Sequence, residues 1–451
     1  MTNNRRHVVF VSQMFPPDTG GNASRIHDNA VNLVDYGWDV TVLAPPPSYP
    51  PGEFDRSWQR SETDSADGVT VHRLWTYQPQ TEDPGMGKRL LYYLIFAIHS
   101  TFWLVWNVRR YDIVVTSTPP ISTGGPGLLV SVLGKPWVVD VRDLWIDASI
   151  ALEYLEQGTA IERLSRRFQR LVLHTADSIT VTTRGTAELL KETYGDALGE
   201  KFVELPNGVN VGRFERTDPQ PTATDREAVV SAGHSSSEHG QSGSTQPLGE
   251  NTAAGFRAQS NSRNDSDTDV IIYTGNLGSA QDLESFIRAM THLESEDVVL
   301  RLVGGGDRKS QLRALARQLS VQDSVEFVEP VPREEVPSLL CEATVGIAPL
   351  KNSPELEYAI PTKVYEYLAC GLPVVVTGRG EIDRVVSESG GGVVAENDAE
   401  RIANRLDELL DDKRRRRQLG QQGQKFVSRN YDREAIAGRL SVELARFLDE
   451  R

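Results

Sequence analysis

A lysine and a glutamate three residues apart stand near the start of a short helical pattern, Thr362–Ala369. Pro361 precedes the pattern, and proline is favoured at the first position of a helix. Free N–H groups and a partial positive charge at a helix start attract phosphates, so Thr362 and Lys363 could hold a diphosphate. Glu366 lies on the same helix face, where its carboxylate could accept both hydroxyls of a ribose. The same spacing also fits an ordinary capped helix with a solvated Lys and Glu.

Two glycine-rich turns follow predicted strands. Gly20 and Gly21 follow the first apolar run and would let the backbone approach donor phosphates closely. Gly304 and Gly306 follow a later strand in a run that resembles a phosphate-binding turn. Lys309 stands where the third glycine of a dinucleotide-binding fingerprint would be, so this match is weak and a nicotinamide dehydrogenase is disfavoured.

Charged residues also follow the predicted strand that begins at Trp137. Asp143, or else Asp140, is the candidate acidic group at this end of the strand. The alternative is that Asp143 and Arg142 form an ion pair that only holds the loop. Arg25, one helical turn after the first glycine pair, faces either an anionic phosphate or solvent.

Length and composition favour a two-domain cytoplasmic protein. The chain has 451 residues, of which 39% are hydrophobic, which excludes wholesale disorder. The net charge of −15 argues against nucleic-acid binding, which needs a basic surface. The acidic composition, with nine lysines, resembles proteins of halophilic archaea. Cys341 and Cys370 are predicted core thiols in a reducing cytosol, and the apolar run Val8–Val11 is too short for a signal peptide.

Apolar runs alternate with helical patterns along the chain, which predicts an α/β fold with two parallel-sheet domains. Residues 1–206 form the first domain and 207–217 a hinge. Residues 218–269, rich in Ser, Gly, Asn, Gln, Asp and Thr, are predicted to be a disordered insertion. Residues 270–430 form the second domain, and 431–451 a helix that packs back on the first. Ligands are expected in the cleft between the domains.

The hydrophobic stretch Leu90–Val108 has basic residues on both sides, at Lys88-Arg89 and Arg109-Arg110. Its length reaches the lower limit for a membrane-spanning helix. Spanning would separate two predicted strands of one sheet, which disfavours it. A buried core helix and an interfacial helix that contacts a lipid surface both remain open.

Six motifs in order along the chain resemble those of glycosyltransferase family 4. The resemblance is closest to surface-polysaccharide enzymes typified by the L-fucosamine transferases, and it covers nearly the whole chain except 218–269. The motifs are Phe15-Pro16-Pro17 with Gly20-Gly21 and Arg25, Ser48-Tyr49-Pro50-Pro51-Gly52, Asp140-Val141-Arg142-Asp143-Leu144-Trp145, Leu205-Pro206-Asn207-Gly208-Val209-Asn210, Tyr273-Thr274-Gly275-Asn276-Leu277-Gly278 and Ile360–Val375.

The resemblance implies a GT-B fold, in which two Rossmann-like domains face a central cleft. It places a nucleotide-sugar donor on the C-terminal domain and the acceptor on the N-terminal one, with retention of anomeric configuration and no metal. With this placement, Asp143, or else Asp140, is predicted to lie near the acceptor hydroxyl or the donor sugar, and the phosphate that Arg25 could face would belong to the acceptor. Glu366 matches the second Glu of the family's Glu-x7-Glu motif, which is expected on the donor ribose. Tyr358 stands where the first Glu belongs, so Glu355 or Glu357 is the candidate to replace it near the donor sugar.

This chain also lacks the two basic residues that many family members use to bind the donor diphosphate. Asn276 and Asp282 stand where many members carry Arg and Lys. A diphosphate in a cleft without a cation would be poorly stabilised. Lys363, the helix start and the Gly278 amide are therefore predicted to supply the missing positive charge.

The predicted function is transfer of a sugar from a nucleoside-diphosphate sugar to a glycan or lipid-linked acceptor, at the cytoplasmic membrane face and without a cofactor or metal. One alternative is a nucleotide-sugar epimerase on the same fold, against which the apolar stretch and the Gly20-Gly21 loop argue. The other is a non-catalytic protein that binds the donor, which Tyr358 and Asn276 make plausible.

Overall fold

The computed structural model describes residues 5–49, 52–59, 61–81, 85–151, 155–214 and 268–450. These residues form two α/β units, each built on a twisted sheet, as the alternating pattern predicted. Residues 218–267 of the predicted insertion lie outside the described residues. Asp269, which the prediction assigned to the insertion, is the first residue of a strand.

The first sheet has eight strands. They are β1 (His7–Val11), β2 (Asp39–Ala44), β3 (Ser61–Ala66), β4 (Val69–Leu74), β5 (Ile113–Thr118), β6 (Trp137–Val141), β7 (Ser178–Val181) and β8 (Phe202–Glu204). Their order is β3-β4-β2-β1-β5-β6-β7-β8, and every neighbouring pair is parallel except β3 and β4. The central strands are apolar and buried because helices cover both faces of a parallel sheet.

Strand β3 was not predicted, because its sequence SETDSA has no apolar run. It pairs antiparallel with β4 through a two-residue turn at Asp67 and Gly68, which have φ values of 52° and 79°. An Asp-Gly pair is favoured where both turn residues need positive φ. This dipeptide was the signal in the sequence that could have revealed the hairpin.

The second sheet has six strands, all parallel. They are β9 (Asp269–Thr274), β10 (Val298–Val303), β11 (Val325–Val328), β12 (Val345–Ala348), β13 (Val374–Val376) and β14 (Gly392–Val394). Their order is β11-β10-β9-β12-β13-β14. The chain crosses over between β9 and β12, as in open sheets that bind ligands at the carboxyl ends of their strands.

The helices flank both sheets. They are α1 (Gly21–Asp35), α2 (Met86–Trp106), α3 (Gly124–Val132), α4 (Trp145–Ala151), α5 (Ala160–Thr175), α6 (Arg184–Tyr194), α7 (Val211–Phe214), α8 (Leu283–Ala289), α9 (Lys309–Gln318), α10 (Val336–Glu342), α11 (Thr362–Ala369), α12 (Glu381–Ser389), α13 (Ala399–Asp411), α14 (Lys413–Asn430) and α15 (Arg433–Asp449).

The last helix, α15, returns to the first unit. Ile436, Leu440 and Leu444 are buried in the same apolar core as strand β1. Two chain segments therefore connect the units, and they are bonded to each other, because the Val209 N–H donates to the carbonyl of Tyr431 at 2.8 Å. The two connections therefore lie side by side at the boundary between the units, and the hinge at 207–217 stays a prediction.

Helix α2 lies against the first sheet. Among the described residues, one helical segment, Gly87–Trp106, is long and apolar enough to cross a membrane, and 28% of it is buried. The strands before and after it, β4 and β5, belong to one sheet, so a spanning helix would place parts of one sheet on opposite sides of a bilayer. Phe96 and Leu104 are buried, whereas Phe102 is exposed. The alternative that α2 is a wholly buried core helix is therefore wrong, because one face of the helix is exposed.

Helix α3 provides a test of packing in the first unit. A Cβ atom added at Gly127 would lie 2.0 Å from Cε2 of the buried Trp137 indole, whereas one at Gly125 would meet nothing within 4 Å. Gly127→Ala is expected to lower the free energy of unfolding by about 1–3 kcal/mol, because an overpacked core must shift. Gly125→Ala is the matched control and should cost nothing, since alanine favours helices. Urea unfolding followed by tryptophan fluorescence measures both, and equal midpoints would contradict this packing.

Candidate active site

A cleft of about 860 Å³ separates the two units. Its walls are segments that follow the carboxyl ends of strands in both sheets, where ligands of open parallel sheets bind. Gly21 comes after β1, Arg142 and Asp143 after β6, Thr183 after β7 and Gln281 after β9. Of the predicted site residues, Gly21, Arg142 and Asp143 of the first unit and Glu355 of the second line this cleft, whereas Lys363 and Glu366 are not part of its lining.

Helix α11 begins at the cleft. Pro361 lines the cleft wall, and Thr362 is the first residue of the helix. The hydroxyl of Tyr367, on the buried side, accepts a hydrogen bond from the Thr274 N–H at 2.8 Å and so ties α11 to the end of β9. This tie turns the face that carries Lys363 toward the loop after β9.

Lys363 lies beside that loop in a largely apolar setting. Its Nζ atom is 3.7 Å from the centroid of the Tyr273 ring, and a side chain at Gly275 would come within 3.2 Å of it. Burial lowers the pKa of Lys363 to about 7, although the Glu366 carboxylate acts in the opposite direction. A bound diphosphate would favour the charged ammonium, so this lysine can gain a proton as an anion binds.

Glu366 is paired with an arginine that the sequence did not reveal. Nη2 of Arg333 donates to Oε1 of Glu366 at 3.3 Å, and Nη1 donates to Oγ of Ser24, in the first unit, at 3.2 Å. Burial raises the pKa of Glu366, while the charges of Arg333, Lys363 and Arg213 act to lower it. Arg333 lies in the loop between β11 and α10, outside every motif, and only the missing cation for a diphosphate hinted at such a residue.

Gly304 and Gly306 support the loop after β9. Their φ values are 145° and 151°, and added Cβ atoms would lie 2.0 Å from the carbonyl oxygen of Gly275 and 2.5 Å from that of Leu277. The Leu277 N–H donates to the carbonyl of Gly305 at 2.7 Å. The structure therefore gives these glycines a role in holding two loops together, and their direct contact with a phosphate stays a prediction.

The other residues predicted to bind the donor differ in whether a ligand could reach their backbone. Gly20 and Gly21 face empty space, since an added Cβ atom would meet nothing within 4 Å at either position. The Gly278 N–H is already bonded to Oε1 of Gln281, at 3.2 Å, and the amide of Asn276 lies against Gly278. A phosphate would have to displace Gln281 before it could use the Gly278 amide, which the sequence did not indicate.

Arg25 and Asp140 form a buried ion pair. Nη2 of Arg25 lies 2.9 Å from Oδ1 of Asp140, and both side chains are almost wholly inaccessible. Arg25 also donates to the carbonyls of Leu205 and Pro206, each at 2.8 Å. The prediction that Arg25 faces an acceptor phosphate or solvent is therefore wrong, because its donors are used inside the protein.

Asp140 is correspondingly withdrawn from the cleft. Burial acts to raise its pKa, but Arg25, Arg142 and the hydroxyl of Thr180 outweigh burial and lower the pKa below its usual value. The ionised carboxylate is held as a structural anchor. Of the two acids predicted after β6, Asp143 is the one that lines the cleft.

Asp143 is exposed to the cleft and contacts the other unit. Its Oδ1 atom accepts hydrogen bonds from the Tyr358 hydroxyl at 2.6 Å and from the Leu144 N–H at 2.8 Å. The Tyr358 carbonyl accepts from Oγ1 of Thr183 at 2.8 Å, which gives this tyrosine a second bond to the first unit. Burial and the Asp143 charge raise the pKa of Tyr358 well above its ordinary value, so it stays a donor.

Arg142 lines the cleft but does not form the predicted ion pair with Asp143. Its Nε and Nη2 atoms donate to the carbonyls of Thr118 and Pro119, at 3.2 and 3.1 Å. Burial lowers the pKa of Arg142 to about 10. Its buried Nη1 atom has no hydrogen-bond partner in the described part of the chain. A guanidinium N–H of this kind suits an anionic oxygen of a ligand.

The remaining predicted sugar contact, Glu355, lines the cleft at an exposed position and accepts a hydrogen bond from Ser353. Within the ranges that the structure describes, no group of three or more His, Cys, Asp or Glu side chains is placed to hold a metal ion. Cys341 and Cys370 are not joined in a disulfide; Cys370 is buried, as predicted for a core thiol, whereas Cys341 is half-buried.

Two protein-family models match the chain, one in each unit. The model described as "Glycosyl transferase 4-like domain" matches residues 20–208. The model described as "Glycosyl transferases group 1" matches residues 256–426. Each match spans the residues that form one wall of the cleft.

Similar proteins include both sequence relatives and solved structures. The chain is 25% identical over 352 residues to an Escherichia coli protein described as a colanic acid biosynthesis glycosyl transferase, WcaI, with 76% of each chain covered. It is 24% identical over 442 residues to the GDP-mannose-dependent alpha-(1-6)-phosphatidylinositol monomannoside mannosyltransferase of Mycobacterium tuberculosis, covering 96% of this chain and 97% of that one. Anabaena HepE in complex with UDP and glucose aligns with a TM-score of 0.64 at 14% identity, covering 98% of this chain and 100% of that one.

Two parallel sheets that face one cleft, with these structural neighbours, define the fold as GT-B. The protein is a glycosyltransferase, with a GT4-like domain followed by a group 1 domain. The resemblance to glycosyltransferase family 4 is confirmed at this level. The narrower resemblance to L-fucosamine transferases, and to halophilic proteins, stays a prediction.

The lowered pKa of Lys363 predicts a pH-dependent affinity for nucleoside diphosphates. The diphosphate binds the protonated ammonium, so its Kd should be flat below about pH 7 and rise by up to tenfold for each further pH unit. Isothermal titration with UDP or GDP from about pH 7 to about pH 9 measures this. Lys363→Met should bind weakly at all pH values, whereas Lys425→Met, at an exposed position on α14, should keep the wild-type profile. A flat wild-type profile would contradict the assignment.

The bond between Tyr358 and Asp143 predicts a second effect. Tyr358→Phe removes the donor to Asp143 and should lower kcat/KM by roughly tenfold, because a hydrogen bond to a charged group contributes about 1.5–3 kcal/mol. Tyr36→Phe is the control, because it removes an exposed hydroxyl that donates a 3.4 Å hydrogen bond to the carbonyl of Glu434 on α15. Steady-state kinetics and melting temperature are measured together. Full activity of Tyr358→Phe would show that the bond does not position Asp143.

Proposed function

We propose that the protein is a retaining glycosyltransferase that moves a sugar from a nucleoside-diphosphate sugar to a glycan or lipid-linked acceptor in the synthesis of surface polysaccharide or glycoprotein glycans. The observation that carries the proposal is the pair formed by Lys363 and Glu366 at the start of α11, which Arg333 links to Ser24 on α1 of the first unit. A basic group and a carboxylate at this spacing suit a diphosphate and a ribose, respectively.

The donor would lie along the second unit. Its diphosphate would contact the start of α11 and Lys363, and its ribose hydroxyls would bond Glu366, which Arg333 already holds. In an oxocarbenium-like transition state, negative charge grows on the leaving diphosphate. Fixed cations and helix N–H groups in a site that excludes water stabilise this charge more than the charge of the ground state.

The acceptor would approach from the first unit. Asp143 and Asp147 are acidic residues of the first unit that line the cleft, and the Tyr358 hydroxyl fixes the orientation of Asp143. The free Nη1 atom of Arg142 would donate to an oxygen of the acceptor or of the donor sugar. In this proposal Arg25 and Asp140 do not contact either substrate. Their buried ion pair supports the residues that line the cleft.

The relatives support the substrate classes without fixing the sugar or the base. One is described for colanic acid biosynthesis, a second uses GDP-mannose and a phosphatidylinositol mannoside, and HepE binds UDP and glucose. The proposed donor is therefore a UDP- or GDP-sugar. The sequence resemblance to L-fucosamine transferases adds a nucleotide-linked L-fucosamine to the candidates. We further propose that catalysis needs no metal and takes place at the cytoplasmic face of the membrane.

The test is release of nucleoside diphosphate from a panel of UDP- and GDP-sugars, with a detergent-solubilised lipid extract as acceptor. Glu366→Ala and Lys363→Ala should each lower kcat/KM by about a hundredfold, since each removes one charged contact to the donor. Glu334→Ala, an exposed neighbour of Arg333, is the matched control and should be as active as wild type. Measuring activity in low-salt buffer and in molar KCl tests whether the enzyme behaves like the halophilic proteins that its composition resembles.

Three results would contradict parts of the proposal. Inversion of the anomeric centre, seen by NMR of the product, would exclude a retaining mechanism. Loss of activity with EDTA, restored by a divalent cation, would exclude metal-free catalysis. Donor binding without acceptor-dependent release, under conditions in which a related enzyme is active, would contradict the transferase assignment of this site.

A further inference from the structure

Exposed apolar side chains are concentrated on three helices of the first unit. Of seventeen large apolar side chains that are exposed in the described residues, thirteen lie on α2, on α5, or on α3 and the residue that caps it. Isolated exposed apolar residues are common on proteins, but a contiguous group marks an interaction site. The most prominent are Ile98 (53% exposed), Phe102 (70%), Trp106 (89%), Val132 (80%), Ile161 (65%) and Leu164 (68%).

These helices form one continuous layer. Helix α3 packs between α2 and α5. Their inner faces enter the same core, to which α2 contributes Phe96 and Leu104, α3 contributes Val130 and α5 contributes Val172. Their outer faces therefore point away from the same side of the sheet. We call this outer face the three-helix surface.

The charge of the three-helix surface is opposite to that of the molecule. The whole chain carries a net charge of −15, yet α2, α3 and α5 together contain a single acidic residue, Glu162, which is buried and paired with Arg166. Exposed basic residues border the apolar area. They are Lys88 at the start of α2, Arg109 and Arg110 just after its end, and Arg163, Arg167 and Arg170 on α5.

We infer that the three-helix surface docks the enzyme on an anionic lipid bilayer, with α3 and α5 taking part alongside α2. Apolar side chains would enter the boundary of the acyl chains, while the basic border would contact negatively charged headgroups. A second copy of the chain fits less well, because a symmetric contact would bring the basic borders of both copies together. A spanning arrangement is incompatible with β4 and β5 in one sheet.

The three-helix surface is connected to the cleft through α4. Asp147 on α4 lines the cleft, and its carboxylate accepts a hydrogen bond from Arg166 of α5 at 2.7 Å. A headgroup at the border of α5 would therefore lie near the wall that carries Asp143. This placement suits an acceptor that remains anchored in the bilayer, and this part of the inference rests on the proposed function.

The test is flotation of the full chain with vesicles of phosphatidylcholine alone or of phosphatidylcholine with phosphatidylglycerol. We expect binding to the anionic vesicles that weakens as salt rises, and at least tenfold weaker binding to neutral ones. Phe102→Ser with Trp106→Ser, and Arg163→Glu with Arg167→Glu, should each reduce binding to anionic vesicles at least tenfold. Val442→Ser removes a comparably exposed apolar residue on α15 and should bind as wild type.

The docking inference can fail independently of the proposed activity, because flotation needs no substrate. Equal binding of wild type and both double variants, or no binding to anionic vesicles, would overturn it. If the protein does not bind vesicles, and sedimentation shows a dimer that is lost in the Phe102→Ser with Trp106→Ser variant, the surface would be assigned to contact with a second copy instead. Unchanged UDP or GDP affinity in the variants would show that they are folded.

Discussion

The buried ion pair between Arg25 and Asp140 determines where the walls of the cleft lie. It joins α1 to the end of β6, and the same guanidinium binds the carbonyls of Leu205 and Pro206, where the chain leaves the first sheet. A buried ion pair adds little stability compared with apolar packing, but loss of one partner leaves an uncompensated charge that costs about 3–5 kcal/mol. We infer that its contribution is to hold α1, the end of β6 and the segment after β8 in one arrangement.

A few cations lie in or next to the cleft of an acidic molecule: Arg142 lines the cleft, and α11, which carries Lys363, begins at its wall. Lys363 belongs to the second unit, Arg142 to the first, and Arg333 contacts both through Glu366 and Ser24. Each has been partly removed from water, which strengthens its interaction with an anion but disfavours its charge in the empty site. An anionic donor relieves this cost when it binds, so affinity for the donor and closure of the two units would be coupled.

Local patterns predicted most of the fold, because buried parallel strands and amphipathic helices are visible in short windows. Helix α11 was predicted with the bounds that the structure shows, Thr362–Ala369. Polar β3 was missed, since only its Asp-Gly turn marked it. Arg25–Asp140 and Arg333–Glu366 join residues 115 and 33 positions apart, and no local spacing encodes such pairs. The side chains that complete the site are therefore the part that sequence reasoning could not supply.

Tyr358 shows how one replaced residue changes what the site requires. The family resemblance expects a carboxylate at this position in the second unit, whereas here a tyrosine hydroxyl reaches across the cleft to the carboxylate of Asp143. In the proposed site, the acid near the reacting groups would come from the first unit, and its orientation would depend on the second. Such an arrangement is complete only when the units are together, because neither supplies both the acid and the group that orients it. The chemistry would then be confined to the closed cleft, where water is excluded.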